Sequence, residues 1–295
     1  VDGSEAIVDS SQDQPARLRI FDRDGLLRVD RNLIDILPPR KLVYASPSTI
    51  SGLSFGNGSL YFVAVDQGPV QQTARLIRVD VSSGKVTEIA PDLGGAGGSL
   101  TPDGRAYVFA RAKGDRWGLA EIDLQTKVIR TLSEVEPRTY VLDPQVSPDG
   151  ERVLATVFHG EKAQLEILDR NGRSLSVVPG PAGPTLEGRW IDDTRVTFVG
   201  DEGGRLQVFV ADLGARAYRR LTDAPFLAYR PRPFHGRVRF FDRAGWRWSL
   251  DEVALPEDAP PTTLGDDAMP APDYPAPPPP LEGIPESHAK ESAIA

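Results

Sequence analysis

The sequence predicts an all-β chain folded as a β-propeller of four-stranded antiparallel blades, six of them, with five and seven as alternatives. Three observations predict it. Turn signals recur: Gly58 in Phe55-Gly56-Asn57-Gly58, Gly104 and Gly150 are successively 46 residues apart. Asp192-Asp193-Thr194 follows at 44 residues and His235-Gly236 at 42. Such a period, with four strands per unit, is the mark of a propeller. Second, no helical periodicity of comparable length competes with the strand pattern. Third, the apolar content falls across each unit. Val153, Leu154, Ala155, Val157 and Phe158 make a second strand apolar on both faces, whereas Arg173-Ser174-Leu175-Ser176-Val177-Val178 is half polar. Strands sandwiched between blades read as the first kind, and a solvent-facing outer strand as the second.

Residues 1–16 are polar and small and read as a loose leader. A meander of three short strands spans 17–37, ending at Pro38-Pro39, which breaks any strand. Each recurring turn then precedes an apolar strand: Leu60–Val65, Ala106–Ala110, Arg152–Phe158, Arg195–Val199 and Arg237–Phe241. Another apolar strand follows each, and in the first four units a more polar one comes last. The last unit has no clear fourth strand before Pro256, and the first meander no clear innermost one. Either they are separate incomplete blades, or the N-terminal strands complete the last blade and close the ring. Closure would remove edge strands that invite aggregation. The propeller is therefore expected over 17–255. Residues 256–295 form a Pro-rich acidic linker or disordered tail, with Pro277 to Pro280 in succession.

Charge divides the same way. Residues 251–295 hold ten of the 42 acidic side chains and one of the 34 basic ones, which leaves 32 against 33 in the remainder. The folded part is balanced and shows no basic footprint for nucleic acid. No apolar run approaches the ~18 residues of a membrane-spanning helix. Without cysteine the chain has no disulfide, thiol nucleophile or thiolate metal site. It opens at Val1 with no signal-peptide pattern, so an export signal would lie outside it.

The best-preserved copies of the repeat, Ser147-Pro148-Asp149-Gly150-Glu151-Arg152-Val153-Leu154 and Thr101-Pro102-Asp103-Gly104-Arg105-Ala106-Tyr107-Val108, resemble the TolB-type (PD40, WD40-like) β-propellers. The resemblance covers roughly 17–255, and the motif degrades in the other three units. It implies an interaction module of the bacterial envelope or periplasm, or a substrate-holding propeller beside a peptidase or outer-membrane domain. A protein or peptide partner and a monomer, or a chain tethered to further domains, are expected. The repeat motif builds a turn and carries no catalytic residue.

Chemistry has little to stand on. His159, His235 and His288 fall in different structural contexts and read as solvated side chains, so no metal ligand set, cofactor or catalytic residue is expected. Neither a G-x-S-x-G elbow nor a P-loop nor H-E-x-x-H is present. Gly94-Gly95-Ala96-Gly97-Gly98 reads as a flexible loop between blades. The Asp-x-x-Gly stretches at 22–25, 169–172 and 242–245 read as hairpin turns and are too short for calcium loops. Trp190 is expected in the core, and Trp246 and Trp248 against a neighbouring blade. The residues of most interest enter the innermost strands, at one mouth of the channel: Tyr140 and Asp143, Glu187 and Arg189, and Tyr229, Arg230 and Arg232. Such a rim suits a peptide, a carboxylate or a sugar acid. The expected function is non-catalytic binding; the alternative is a polysaccharide lyase or glycosidase working in the funnel.

Overall fold

The computed structural model describes residues 5–11, 14–22, 24–37, 50–67, 72–114, 116–133, 139–244, 247–256 and 262–263. They form six successive antiparallel units. The first is a three-stranded sheet, β1 (Glu5–Ser11), β2 (Gln14–Phe21) and β3 (Leu27–Asn32), paired in that order. A helical turn α1 (Leu33–Ile36) follows.

Four four-stranded blades come next. Blade 1 is β4 (Ile50–Gly56), β5 (Ser59–Gln67), β6 (Gln72–Asp80) and β7 (Val86–Ala90). Blade 2 is β8 (Gly95–Leu100), β9 (Ala106–Lys113), β10 (Arg116–Asp123) and β11 (Ile129–Thr131). Blade 3 is β12 (Thr139–Val146), β13 (Arg152–His159), β14 (Lys162–Asp169) and β15 (Ser174–Val177). Blade 4 is β16 (Thr185–Trp190), β17 (Arg195–Glu202), β18 (Arg205–Asp212) and β19 (Ala217–Arg220). Blade 5 has β20 (Leu227–Phe234), β21 (Arg237–Ala244) and β22 (Arg247–Ala254). A last strand, β23 (Thr262–Thr263), returns to pair with the outer strand β19 of blade 4.

The core lies between blades, as the graded apolar pattern requires. Leu18, Ile20 and Val29 of the first sheet, with Leu33 and Ile36 of α1, pack on Leu60, Phe62, Ile77 and Val79 of blade 1. Blades 1 and 2 share a cluster built on Val63, Leu76, Tyr107 and Phe109. Blades 2 and 3 share Val108, Leu119, Val153 and Val157. Blades 3 and 4 share Leu154, Leu165, Phe198 and Phe209, the two rings stacked 5.5 Å apart. Val208, Ala228, Val238 and Phe240 join blades 4 and 5. A buried side chain of this size contributes roughly 1.5–3 kcal/mol. By contrast every residue of β15 is exposed.

Four expectations are revised at the N-terminus and in the glycine run. The leader expected over 1–16 is strand over 5–11, because Ala6 and Val8 lie half-buried against the first core cluster. Among the described residues the first sheet packs on blade 1 and pairs with no strand of blade 5. Its expected third strand, Leu33 to Leu37, is instead the helical turn, which buries Leu33, Ile36 and Leu37 along one face. Finally, Gly94–Gly98 is no loop: from Gly95 it is β8, the innermost strand of blade 2. A Cβ on Gly98 would fall 1.8 Å from the Val108 carbonyl oxygen, and one on Gly97 2.6 Å from the Gly52 nitrogen. Glycine is required there by close backbone approach. Of the expected tail only Pro256 and Thr262–Thr263 fall among the described residues; His288 and Trp246 lie outside them, as does the Trp248 side chain.

The turns of blades 2 and 3 share one wiring. Ser147 Oγ donates to Asp149 Oδ1 at 2.5 Å and accepts from the Arg152 amide at 2.9 Å. Asp149 Oδ1 also accepts from the Glu151 amide, and Gly150, at φ +81°, donates its amide to the Ser147 carbonyl. Thr101, Asp103, Gly104 and Ala106 repeat these bonds in blade 2. Neighbouring turns are also tied together. Asp193 Oδ1 accepts from the Asp149 amide at 2.9 Å, and its carbonyl accepts from the Arg152 guanidinium at 2.7 Å.

Candidate functional site

Each innermost strand carries one extra residue relative to its partner. The register shifts between Ser51 and Ser54 in β4, Ala96 and Gly98 in β8, Leu142 and Gln145 in β12, Leu186 and Arg189 in β16, and Tyr229 and Arg232 in β20. Such bulges bend a strand and re-aim a side chain. Gly52, Asp143, Glu187 and Arg230 occupy the left-handed region at the bulge, with φ of 63, 50, 55 and 54°. For a non-glycine residue this conformation costs on the order of 1–2 kcal/mol. Blade 1 avoids that cost with glycine. Blades 3, 4 and 5 carry it with two acids and an arginine.

The side chains at these positions are wired from blade to blade. Arg189 Nη1 lies 2.5 Å from Asp143 Oδ2 and also donates to the Gly188 carbonyl at 2.6 Å. Gln145 Nε2 donates to Asp143 Oδ1 at 3.2 Å, and Trp190 Nε1 to the Gln145 carbonyl at 2.9 Å. Glu187 Oε2 accepts the Arg230 amide at 2.6 Å. Asp143, Arg189, Glu187 and the Arg230 backbone thus form a polar arc over three blades. Burial pushes the Glu187 carboxyl above its ordinary range, and the nearby Asp143 charge adds to it; the Arg230 amide and Arg189 act against it. The Arg230 guanidinium lies exposed, 5.7 Å from the centre of the Tyr229 ring. Arg232 sits directly across from Arg239 in the β20–β21 register, two like charges that disfavour one another.

Blades 1 and 2 are built differently at the same level. Tyr107, fully buried, donates its hydroxyl to the Gly52 carbonyl at 2.7 Å and accepts the Gly98 amide at 3.0 Å. Burial drives its phenol well above the ordinary tyrosine range. Ser54 Oγ accepts the Leu100 amide at 3.1 Å, and Ser99 Oγ the Val146 amide at 2.8 Å. Here the blades are linked by small neutral groups.

No family model matches the chain, and no curated protein matches it. Solved structures do. TolB from Acinetobacter baumannii superposes with a TM-score of 0.65 at 19% identity, over 86% of this chain and 61% of that one. The chain has the TolB-like β-propeller fold. Puromycin hydrolase matches this TolB-like propeller with a TM-score of 0.55 at 16% identity, over 81% of the chain and 40% of the hydrolase. Oligogalacturonate lyase in complex with manganese matches at 0.54 and 13% identity, over 87% of each chain. The chain spans less than two thirds of the length of the Acinetobacter protein.

Asp143, Glu187, Arg189 and the Arg230 backbone come together. Tyr140 is held separately, at the start of β12, in a parallel bridge with Trp117 that joins blades 2 and 3. Tyr229 packs against Phe241 with ring centres 5.6 Å apart. Sequence reasoning missed Gln145 and Tyr107, and it read Trp190 as plain core. The spacing of 45 residues between Gln145 and Trp190 is one repeat, which is the signal that finds their bond.

His159, read as an isolated solvated side chain, is the end of β13, and its Nε2 lies 2.6 Å from Oε1 of the buried Glu166. Burial opposes ionisation of Glu166, but hydrogen bonds from Gln164, Ser174 and His159 outweigh it and hold the carboxyl below its ordinary range. His235 sits in the β20–β21 turn against Phe234. The carboxylates of Asp22 and Asp169 accept amides of their own turns, as hairpin turns require. Among the described residues no three His, Asp or Glu side chains gather as metal ligands.

Proposed function

We propose that the chain is a non-catalytic interaction module of the bacterial envelope, part of a larger polypeptide, whose channel mouth holds an extended peptide of a protein partner. The observation that carries this reading is the arc of Asp143, Arg189, Glu187 and Arg230. Three blades keep non-glycine residues in a strained conformation, although blade 1 shows that glycine satisfies the same bulge. Strain held by a surrounding network points to a functional position. The arc is also pre-organised: fixed donors and acceptors lose little freedom when a peptide arrives. Arg230 and Arg232, on a strand stiffened by Pro231 and Pro233, offer guanidinium groups for a carboxylate. The TolB-like fold supports the envelope setting.

The test is affinity capture from an envelope extract with the full chain and with the double variant Arg230→Ala/Arg232→Ala. The wild type is expected to retain a protein that the folded double variant releases. Equal capture by both would sink the reading. So would manganese-dependent cleavage of uronic-acid polysaccharides by the purified protein, the activity expected of a lyase working in the funnel.

A further inference from the structure

A cleft of about 500 Å³ lies where blades 3 and 4 meet. One side of it is apolar: Pro181, Ala182 and Pro184 of the loop between β15 and β16, with the exposed Val177 at the end of β15. Its rim is polar, with Glu161, Lys162 and Arg216. Lys162 opens β14 of blade 3, and Arg216 is the residue before β19 of blade 4. Both cations are exposed, and neither makes an ion pair among the described residues. The side chains of the polar arc are not part of the lining.

The C-terminal part of the chain is led to this cleft. β23 pairs antiparallel with β19, Thr262 opposite Tyr218 and Thr263 opposite Ala217. The chain therefore leaves β23 beside Arg216, the next residue back along blade 4. The stretch that follows is Leu264-Gly265-Asp266-Asp267-Ala268-Met269-Pro270. At ~3.3 Å per residue, Asp266 is within about 10 Å of Thr263. Residues 264–295 hold six acids and a single base, Lys290, so their charge is opposite to that of Lys162 and Arg216.

We propose that residues 264–270 of this chain occupy the cleft, with Asp266 and Asp267 against Arg216 and Lys162, and Leu264 and Met269 on the apolar side. Exposed ion pairs contribute little on their own. A tethered segment needs little, because β23 holds it at a high effective concentration beside the cleft. Covering Val177 and the proline loop adds an apolar contribution. The segment would then join the outer edges of blades 3 and 4. The peptide reading of the arc does not depend on it.

Disulfide cross-linking in the full chain tests it, since the sequence has no cysteine of its own. Ala182→Cys, at an exposed position in the cleft, is combined with Ala268→Cys or, as the control, with the distant Ala293→Cys. Bond formation within one chain is expected to be at least tenfold faster for the first pair. Adding Lys162→Gln and Arg216→Gly should slow it several-fold. Arg216, at φ +51°, already holds a conformation open to glycine, so that change adds no backbone strain. Circular dichroism checks the fold of each variant. Equal rates for the two pairs, a disulfide-linked dimer in place of the internal bond, or a rate unmoved by removal of the cations would overturn the proposal.

Discussion

At the level of the bulge, blades 1 and 2 are made of Gly52, Gly97, Gly98, Ser54 and Ser99, and blades 3 to 5 of Asp143, Glu187, Arg189, Arg230 and Arg232. Every one of these innermost strands carries a bulge, yet the chemistry is opposite. In the first arc the inner strands come so close that a buried Tyr107 hydroxyl bridges them and no side chain fits at Gly52, Gly97 or Gly98. In the second the strands stand far enough apart for charged side chains to reach the neighbouring blade. One repeat has thus been put to two uses, packing on one side of the array and polar presentation on the other.

The largest expected effect comes from forcing the first arc toward the second. In Gly52→Ala the new Cβ would lie 2.1 Å from the Tyr107 hydroxyl at a φ of +63°. Overpacking and left-handed strain together are expected to cost about 3 kcal/mol or more, measured by urea denaturation. A loss below 1 kcal/mol would mean that the close packing is not a constraint.

Next comes the ion pair of the second arc. Arg189→Ala leaves Asp143 without its charged partner, and because the pair is largely shielded from water a loss of about 1–3 kcal/mol is expected. A double-mutant cycle with Asp143→Ala should return a coupling of about 1 kcal/mol or more. Additive losses would remove the bond from the account.

Converting the second arc toward the first should nearly spare stability. Glu187→Gly relieves the left-handed strain but gives up the bond to the Arg230 amide, so the two roughly cancel to within about 1 kcal/mol. Partner capture is expected to fall all the same. A variant both less stable and fully binding would reverse the assignment of strain to function.

The smallest effect is a pH slope. Glu187 has its carboxyl raised by burial, so the folded state holds the proton more tightly than the unfolded one. Its contribution is complete below the ordinary glutamate range and is lost as pH rises through the raised value. Glu187→Gln should therefore raise the melting temperature near neutral pH, and the gain should fade on acidification. Asp103 and Asp149 in the turns behave oppositely: hydrogen bonds from Thr101 and Ser147, respectively, hold them low, so their contribution is lost as pH falls. Asparagine at either turn position should cost stability at pH 7 and little at low pH.

The propeller was legible because its turns are chemical: Pro148, Asp149 and Gly150 fix a local conformation whatever surrounds them. Asp143, Glu187 and Arg230 were legible as residues entering the inner strands. Their left-handed conformation was not, since a bulge is a property of two paired strands and only one is visible in any stretch of sequence. β8 was missed for a related reason. A strand of glycines has no side-chain alternation to read, and what requires the glycines, the carbonyls of Val108 and Ala110, lies a hairpin away. The salt link of Arg189 to Asp143 spans 46 residues and emerges only when the units are laid over one another.

Amide hydrogen exchange of the full chain, with and without the captured partner, tests the division between the two arcs most directly. Binding is expected to protect residues 139–146, 185–190 and 227–234 while leaving 50–56 and 95–100 unchanged. Equal protection of both sets, or protection confined to the first arc, would contradict it.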